Sequence, residues 1–135
     1  MIYLLDTNIC VHLIRHRSAA LMQKLTSLPV GEAGVSSVTV AELQYGVQKS
    51  GRTEQNAEAL AMFLTPLPIA DFDYAAAEAY GRIRAHLERA GAPIGPLDTL
   101  IAAHAVSLDA ILVTSNLGEF SRVTELRVED WTDAG

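Results

Sequence analysis

An α/β fold, a small parallel sheet flanked by helices in a single domain, is what this 135-residue sequence predicts. Three observations predict it. Short apolar runs alternate with segments whose apolar residues recur at helical spacing, and no repeat or low-complexity tract breaks the alternation. The opening MIYLLDTN carries an apolar run directly into Asp6, the pattern of a buried parallel strand that presents a carboxylate in a crevice. Half of the residues are apolar, enough for one substantial core, and no linker is evident, so one domain is placed over residues 1–135 with its core over about 1–131.

Met1 to Leu5 is the first strand. From Ile9 to Leu28, the residues Val11, Leu13, Ile14, Leu21, Met22, Leu25 and Leu28 recur near the helical period, and Pro29 with Gly31 ends that element. Val35 and its neighbours make a short strand. Thr39 opens a helix with Val40, Leu43 and Val47 on one face, and Gly51 follows it. A further helix spans roughly 54–64 before Pro66, and Leu67 to Ile69 forms a short strand. A long helix from about Asp73 to Arg89 is closed by Gly91 in the manner of a C-cap. Pro93, Gly95 and Pro96 shape the loop into a helix from Asp98 to about Ser107. The β-branched run Ile111 to Thr114, a turn or short helix near Asn116 to Phe120, and a strand near Leu126 to Val128 complete the chain.

Composition excludes several classes. The N-terminus lacks the basic and long apolar regions of a secretory signal, and no stretch approaches the roughly 20 apolar residues of a membrane span, so a soluble, cytoplasmic protein is expected. The single cysteine, Cys10, has no partner for an internal disulfide and reads as part of a packed helix face. A net charge of −6 argues against sequence-blind attachment to nucleic acid, which needs many Lys and Arg contacts with phosphate. It does not exclude a nuclease, because bound divalent cations invert the field of an acidic site. Basic residues gather at Arg15, His16 and Arg17, at Lys49 and Arg52, and at Arg82 and Arg84, where a solvated helix face competes with a grip on an RNA backbone. His12 and His16 share a helix face without an H-E-x-x-H pattern, so zinc is not expected. His86 reads as exposed and His104, in an Ala-rich helix, as packed or hydrogen-bonded.

Three acids carry the functional argument, and each has a plainer reading. Glu42 completes Thr39-Val40-Ala41-Glu42, which has the form of a capping box. Asp98 stands just after Pro96 where an N-cap would sit. Asp6 resists such a reading, since a carboxylate at the end of an apolar strand gains no packing and is desolvated. Together the three would converge if their elements surround the C-terminal edge of one sheet. The remaining acids, Asp130 among them, read as a solvated face.

The ordered set LLDTN, Thr39-Val40-Ala41-Glu42-Leu43-Gln44-Tyr45-Gly46, PIGPLDTLIAAHA, ILVTSNLGEFSRV and VEDW resembles the PIN-domain ribonuclease toxins of the VapC type, from about Met1 to Trp131. The resemblance implies a PIN fold, Mg²⁺- or Mn²⁺-dependent endoribonuclease activity, and a VapB-type antitoxin. It places Asp6, Glu42 and Asp98 at the three core acidic positions, with Asp6 and Asp98 as metal ligands and Glu42 acting through water. At the fourth position many PIN domains carry an acid in a T-x-D pattern, where this chain has Thr114-Ser115-Asn116 and then Glu119. Asn116 as a water-holding or orienting group and Glu119 as a ligand through water both stay open. Thr7 and Asn8 match the D-T-N opening and take supporting roles, although an Asx-type turn also explains Asn8.

The expected chemistry suits these residue types. Mg²⁺ takes hard oxygen ligands and keeps waters, and two such ions about 4 Å apart can direct water in line at phosphorus. Family analogy points to structured RNA, with tRNA and specifically the initiator tRNA anticodon region as the target. It also implies a homodimer or toxin–antitoxin hetero-oligomer that reaches promoter DNA only through the antitoxin. Two alternatives remain: a phosphatase using Asp6 as nucleophile, which would normally show D-x-D where this chain has Asn8, and a non-catalytic antitoxin-binding module.

Overall fold

The computed structural model describes residues 1–16 and 18–132, so Arg17 of the first basic cluster lies outside the described residues. In chain order the elements are β1 (Tyr3–Leu5), α1 (Thr7–His16), α2 (Ala19–Thr26), β2 (Ala33–Ser36), α3 (Ser37–Lys49) and α4 (Thr53–Leu64). There follow β3 (Ile69–Ala70), α5 (Tyr74–Arg89), α6 (Pro96–Ser107), β4 (Ile111–Val113), α7 (Leu117–Phe120) and β5 (Val128–Glu129).

The strands form one sheet in the order β3-β2-β1-β4-β5, and every pairing is parallel. Tyr3 pairs with Ala33 on one side and Ile111 on the other. From β1 the chain runs outward through β2 and β3, then returns to place β4 on the opposite flank of β1. The C-terminal ends of β1 and β4 therefore border the switch point, where parallel sheets leave a crevice.

Alternation along the central strands divides the core between the two faces. Leu4 and Leu112 pack with Ile83 and Leu87 of α5, Ile101 and Ala105 of α6, and Phe120. Leu5 and Val113 pack with Ile9, Cys10 and Leu13 of α1, Leu43 and Val47 of α3, Leu60 of α4, and Trp131. Cys10 is a buried member of that face, as its neighbours suggested.

Several boundaries differ from the sequence expectation. The single helix expected over Ile9 to Leu28 is two, because the polar stretch after Ile14 offers nothing to bury and Ser18 starts a new helix, its hydroxyl accepting from the Leu21 N–H at 3.5 Å. The helix expected from Thr39 begins at Ser37, where Ser36 is the cap and accepts the Val38 N–H at 3.0 Å. The helix expected from Asp98 begins at Pro96, whose missing N–H costs nothing in a first turn. The strand expected at Leu67 to Ile69 pairs only at Ile69–Ala70, while the Pro68 carbonyl accepts the Val35 N–H at 3.0 Å. The last strand is Val128–Glu129 rather than Leu126 to Val128. Among the described residues no helix is long and apolar enough to cross a membrane.

Candidate active site

Asp6 leaves β1 at the switch point and is almost fully buried, at 3% exposure. Its backbone N–H donates to the Val113 carbonyl at 3.0 Å, extending the β1–β4 ladder by one residue. Its Oδ1 accepts the Ile9 N–H at 2.8 Å, and the buried Thr114 hydroxyl acts on the same carboxylate, favouring its charged form. Asp6 is thus the side-chain cap of α1, a role the sequence reading denied it. The two acids that looked like caps are not. Asp98 lies inside the first turn of α6, where Gly95 occupies the cap position without a side-chain bond. Glu42 lies beyond the first turn of α3, and its Oε1 accepts the Thr7 hydroxyl at 2.7 Å instead of a backbone donor.

That bond ties the start of α1 to α3. Thr7 Oγ1 also lies 3.2 Å from Thr39 Oγ1, and Thr39 is fully buried. On the other side of the crevice, Glu119 Oε1 accepts the Gly95 N–H at 2.9 Å and Oε2 accepts Asn116 Nδ2 at 2.7 Å. Asp98 reaches the same place: a Cβ built on Gly95 would lie 3.7 Å from Glu119 Oε1 and 3.8 Å from Asp98 Oδ2.

Four carboxylates consequently share one electrostatic environment. Burial pushes Asp6 up from the ordinary carboxylate range, opposed by the Thr114 and Ile9 bonds and reinforced by Glu42 and Asp130. Burial is also the leading cause at Asp98, and with repulsion from Glu119, Asp6 and Glu42 it brings that carboxyl to about 6. Glu119 moves the other way, held down chiefly by the Gly95 N–H. At Asp6 and Asp98 mutual repulsion contributes, but desolvation comes first.

The structure therefore brings Asp6, Glu42, Asp98 and Glu119 together, with Thr7 and Asn116 as their hydrogen-bond partners. Asn8 is exposed, and its side chain makes no hydrogen bond among the described residues. Two groups escaped the sequence reading. Thr114 was seen only as part of a T-x-D comparison, yet it is fully buried and accepts the Asn116 N–H at 2.9 Å besides holding Asp6. Asp130, assigned to a solvated face, follows β5 at the same sheet edge and acts on Asp6. The signal was available, since an acid directly after a strand is what singled out Asp6.

The other expectations resolve simply. His86 is exposed. The His12 and His16 rings lie 5.0 Å apart. Burial pushes the Cys10 thiol far up, so it has no nucleophilic character.

The whole-chain comparisons agree with this geometry. The PIN domain family model matches residues 3–126. A tRNA(fMet)-specific endonuclease VapC from Shigella flexneri is 44% identical over 130 residues, covering 96% of this chain and 98% of that protein. The chain is a PIN domain of the VapC family. Ribonuclease VapC2 from Rickettsia felis is 45% identical, covering 97% of this chain and 98% of that one. Among solved structures, VapBC2 from Rickettsia felis bound to a DNA fragment from its promoter superposes with a TM-score of 0.93 at 44% identity, covering 97% of this chain and 99% of the other.

In this PIN domain the donor set fits a hard divalent cation. The acids supply only oxygen ligands, and among the described residues none of Asp6, Glu42, Asp98 and Glu119 forms an ion pair. Their like charges call for a cation; among the described residues no three of them close into a ligand cluster, so a cation held here would have to keep waters of its own.

Proposed function

We propose that this chain is the toxin of a type II toxin–antitoxin pair and acts in the cytoplasm as a Mg²⁺-dependent endoribonuclease, with Mn²⁺ as substitute. The substrate is tRNA, with the anticodon region of the initiator tRNA as the preferred target. The observation that carries the reading is the convergence of Asp6, Glu42, Asp98 and Glu119 at one sheet edge, with none of them in an ion pair among the described residues. Two relatives named tRNA(fMet)-specific endonuclease, at 44% and 40% identity, support the substrate.

Asp6 and Asp98 would hold the cation, with Glu42 and Glu119 contributing through water. When bound, such a cation supplies Lewis-acid stabilisation of charge at phosphorus and makes water acidic enough to react at neutral pH. The protein's part is orientation. The Thr114 hydroxyl and the Ile9 N–H fix Asp6, Thr7 fixes Glu42, and the Gly95 N–H with Asn116 fixes Glu119. No side-chain nucleophile is needed.

A VapB-type antitoxin is the partner, supported by neighbours solved as VapBC complexes, two of them bound to DNA. With a net charge of −6, promoter DNA is reached through the antitoxin, and the toxin pairs as a homodimer within the hetero-oligomer. The deciding experiment incubates antitoxin-free protein with total tRNA in Mg²⁺ and in EDTA, alongside Asp6→Asn and Asp98→Asn, and maps new ends. Discrete cuts that require both the cation and the two acids establish the activity. Uncut tRNA with folded, cation-binding protein would overturn the substrate.

A further inference from the structure

The helices that carry Glu42 and Asp98 are joined at a second place, away from the crevice. His104 lies in α6, six residues after Asp98, and is 1% exposed. Its Nδ1 is 2.8 Å from the Ser36 hydroxyl. Ser36, itself fully buried, ends β2 and caps α3 through the Val38 N–H. One imidazole thus bridges the last turn of α6 to the first residue before α3.

Packing restricts the ring further. Phe72 meets it edge-on with centroids 5.3 Å apart, and the Phe72 N–H donates to Ser37 Oγ at 3.1 Å. The segment after β3 therefore closes over the bridge and is itself tied to α3. His104 Nε2 is buried and makes no hydrogen bond of full geometry among the described residues, although the Asp71 backbone acts on the ring. A ring kept only for packing would be replaced at lower cost by an apolar side chain, because a buried polar atom without a partner is penalised. Burial holds the imidazole towards its neutral form, against the influence of Asp71 and Asp73. A neutral ring lets Nδ1 accept the Ser36 proton while the same oxygen still accepts from Val38.

We propose that His104 is a positioning residue for the nuclease site: its bond to the Ser36 cap sets α3 against α6, and so sets Glu42 relative to Asp98. Thr39, one turn into α3, transmits the placement, since it is fully buried and lies beside the Thr7 hydroxyl that holds Glu42. The kinetic part of this inference rests on the ribonuclease reading above. The cation-binding part does not.

The test compares His104→Leu, His104→Asn, Ser36→Ala and the His104→Leu/Ser36→Ala double variant with the parent chain. The Asn amide places a hydrogen-bonding atom where Nδ1 stands and can restore the link to Ser36. Mn²⁺ affinity is read by electron paramagnetic resonance, folding by circular dichroism and thermal melting, and kcat and KM on the tRNA substrate. Losing an orienting partner of a metal site typically costs about 10- to 100-fold in metal affinity or activity. His104→Leu and Ser36→Ala should each weaken Mn²⁺ binding by about 10-fold and lower kcat with KM held. The double variant should be no worse than either single change, and His104→Asn should recover most of the loss. Folded variants that bind Mn²⁺ like the parent, or losses that add in the double variant and simply follow melting temperature, would overturn the proposal. Should His104→Leu fail to fold, Ser36→Ala and His104→Asn decide it alone. If tRNA is uncut by every form yet Mn²⁺ affinity follows the expected pattern, the substrate reading fails and the positioning role stands.

Discussion

The Thr7 hydroxyl donates to Glu42 Oε1 at 2.7 Å across 35 residues of sequence, so the turn that delivers Asp6 also fixes the second acid of the site. A single hydrogen bond to a charged group contributes about 1.5–3 kcal/mol when buried and less in a half-open crevice. Thr7→Val keeps the side-chain shape and removes the donor. The expected outcome is a fall of about 10- to 100-fold in cleavage rate, with the melting temperature lowered by only a few degrees. Rate and melting measured on the same preparation check it, and Thr7→Ser should restore the rate.

The raised Asp98 carboxyl gives the site a pH signature. Its folded value of about 6 lies above the ordinary value of 3.8, so between those limits the folded state binds more protons than the unfolded one. Stability of the cation-free protein should therefore fall as pH rises from about 4 to about 6, and be lower above that window than below it. Asp6, shifted in the same direction, adds to the effect. Asp98→Asn should flatten the profile. Cation binding has the opposite dependence, because protons compete for the same oxygens: Mn²⁺ affinity should drop below about pH 6. Urea melts and Mn²⁺ titrations across pH 4–8 test both signs.

Linkage predicts that the divalent cation stabilises the fold. At 100-fold excess over its dissociation constant, a ligand that binds only the folded state adds about 2.7 kcal/mol. Asp6→Asn should remove that gain while leaving α1 capped, since Asn accepts a backbone N–H as Asp does. Asp6→Ala should lose the gain and also cost about 1 kcal/mol for the missing cap. Melting should separate the two variants by the same margin in EDTA and in Mg²⁺, because neither gains from the cation and only Asp6→Ala lacks the cap. A parent melting temperature indifferent to saturating Mg²⁺ and Mn²⁺ would remove the metal site.

The contrast at Asp6 shows what could be read from residues alone. Element type and order were legible because strand runs and helical spacings are local properties, and Asp6 and Asp98 were legible because each sits where an element ends or begins. Their partners were not. A Thr-x-x-Glu stretch looks like a capping box whether or not the helix begins there; Ser36 moved the start of α3 and freed Glu42 for a residue from another helix. The break before Ser18 was hidden because the apolar spacing continues across it. The Thr114 bond to Asp6 and the influence of Asp130 depend on β4 and β5 lying beside β1, which no local pattern encodes.

Gly34 offers a stability control away from the crevice. It sits in the middle of β2, and a Cβ there would come within 2.6 Å of the Pro68 carbonyl oxygen, the atom that also accepts the Val35 N–H. Backbone cannot yield as a flexible side chain does, so Gly34→Ala should destabilise the fold by about 1–3 kcal/mol. Urea unfolding in EDTA should show the whole loss, and the Mg²⁺ gain should remain intact.

At the fourth position of the proposed site, Glu119 is already engaged. Both of its oxygens accept hydrogen bonds, from the Gly95 N–H and from Asn116, and the first of these fastens α7 to the loop that leads to Asp98. In the proposed site Asn116 would act by aiming Glu119 rather than by meeting a cation itself. Asn116→Ala should therefore free one oxygen, leave the Gly95 bond, and reduce cleavage by about 10-fold. Glu119→Ala removes both bonds together with the charge that repels Asp98. It should lower activity further and move the Asp98 carboxyl down towards its ordinary value. The pH profile of Mn²⁺ binding then separates the two: its acid limb should shift to lower pH in Glu119→Ala and stay in place in Asn116→Ala. An unmoved limb in both would mean that Glu119 does not act on Asp98.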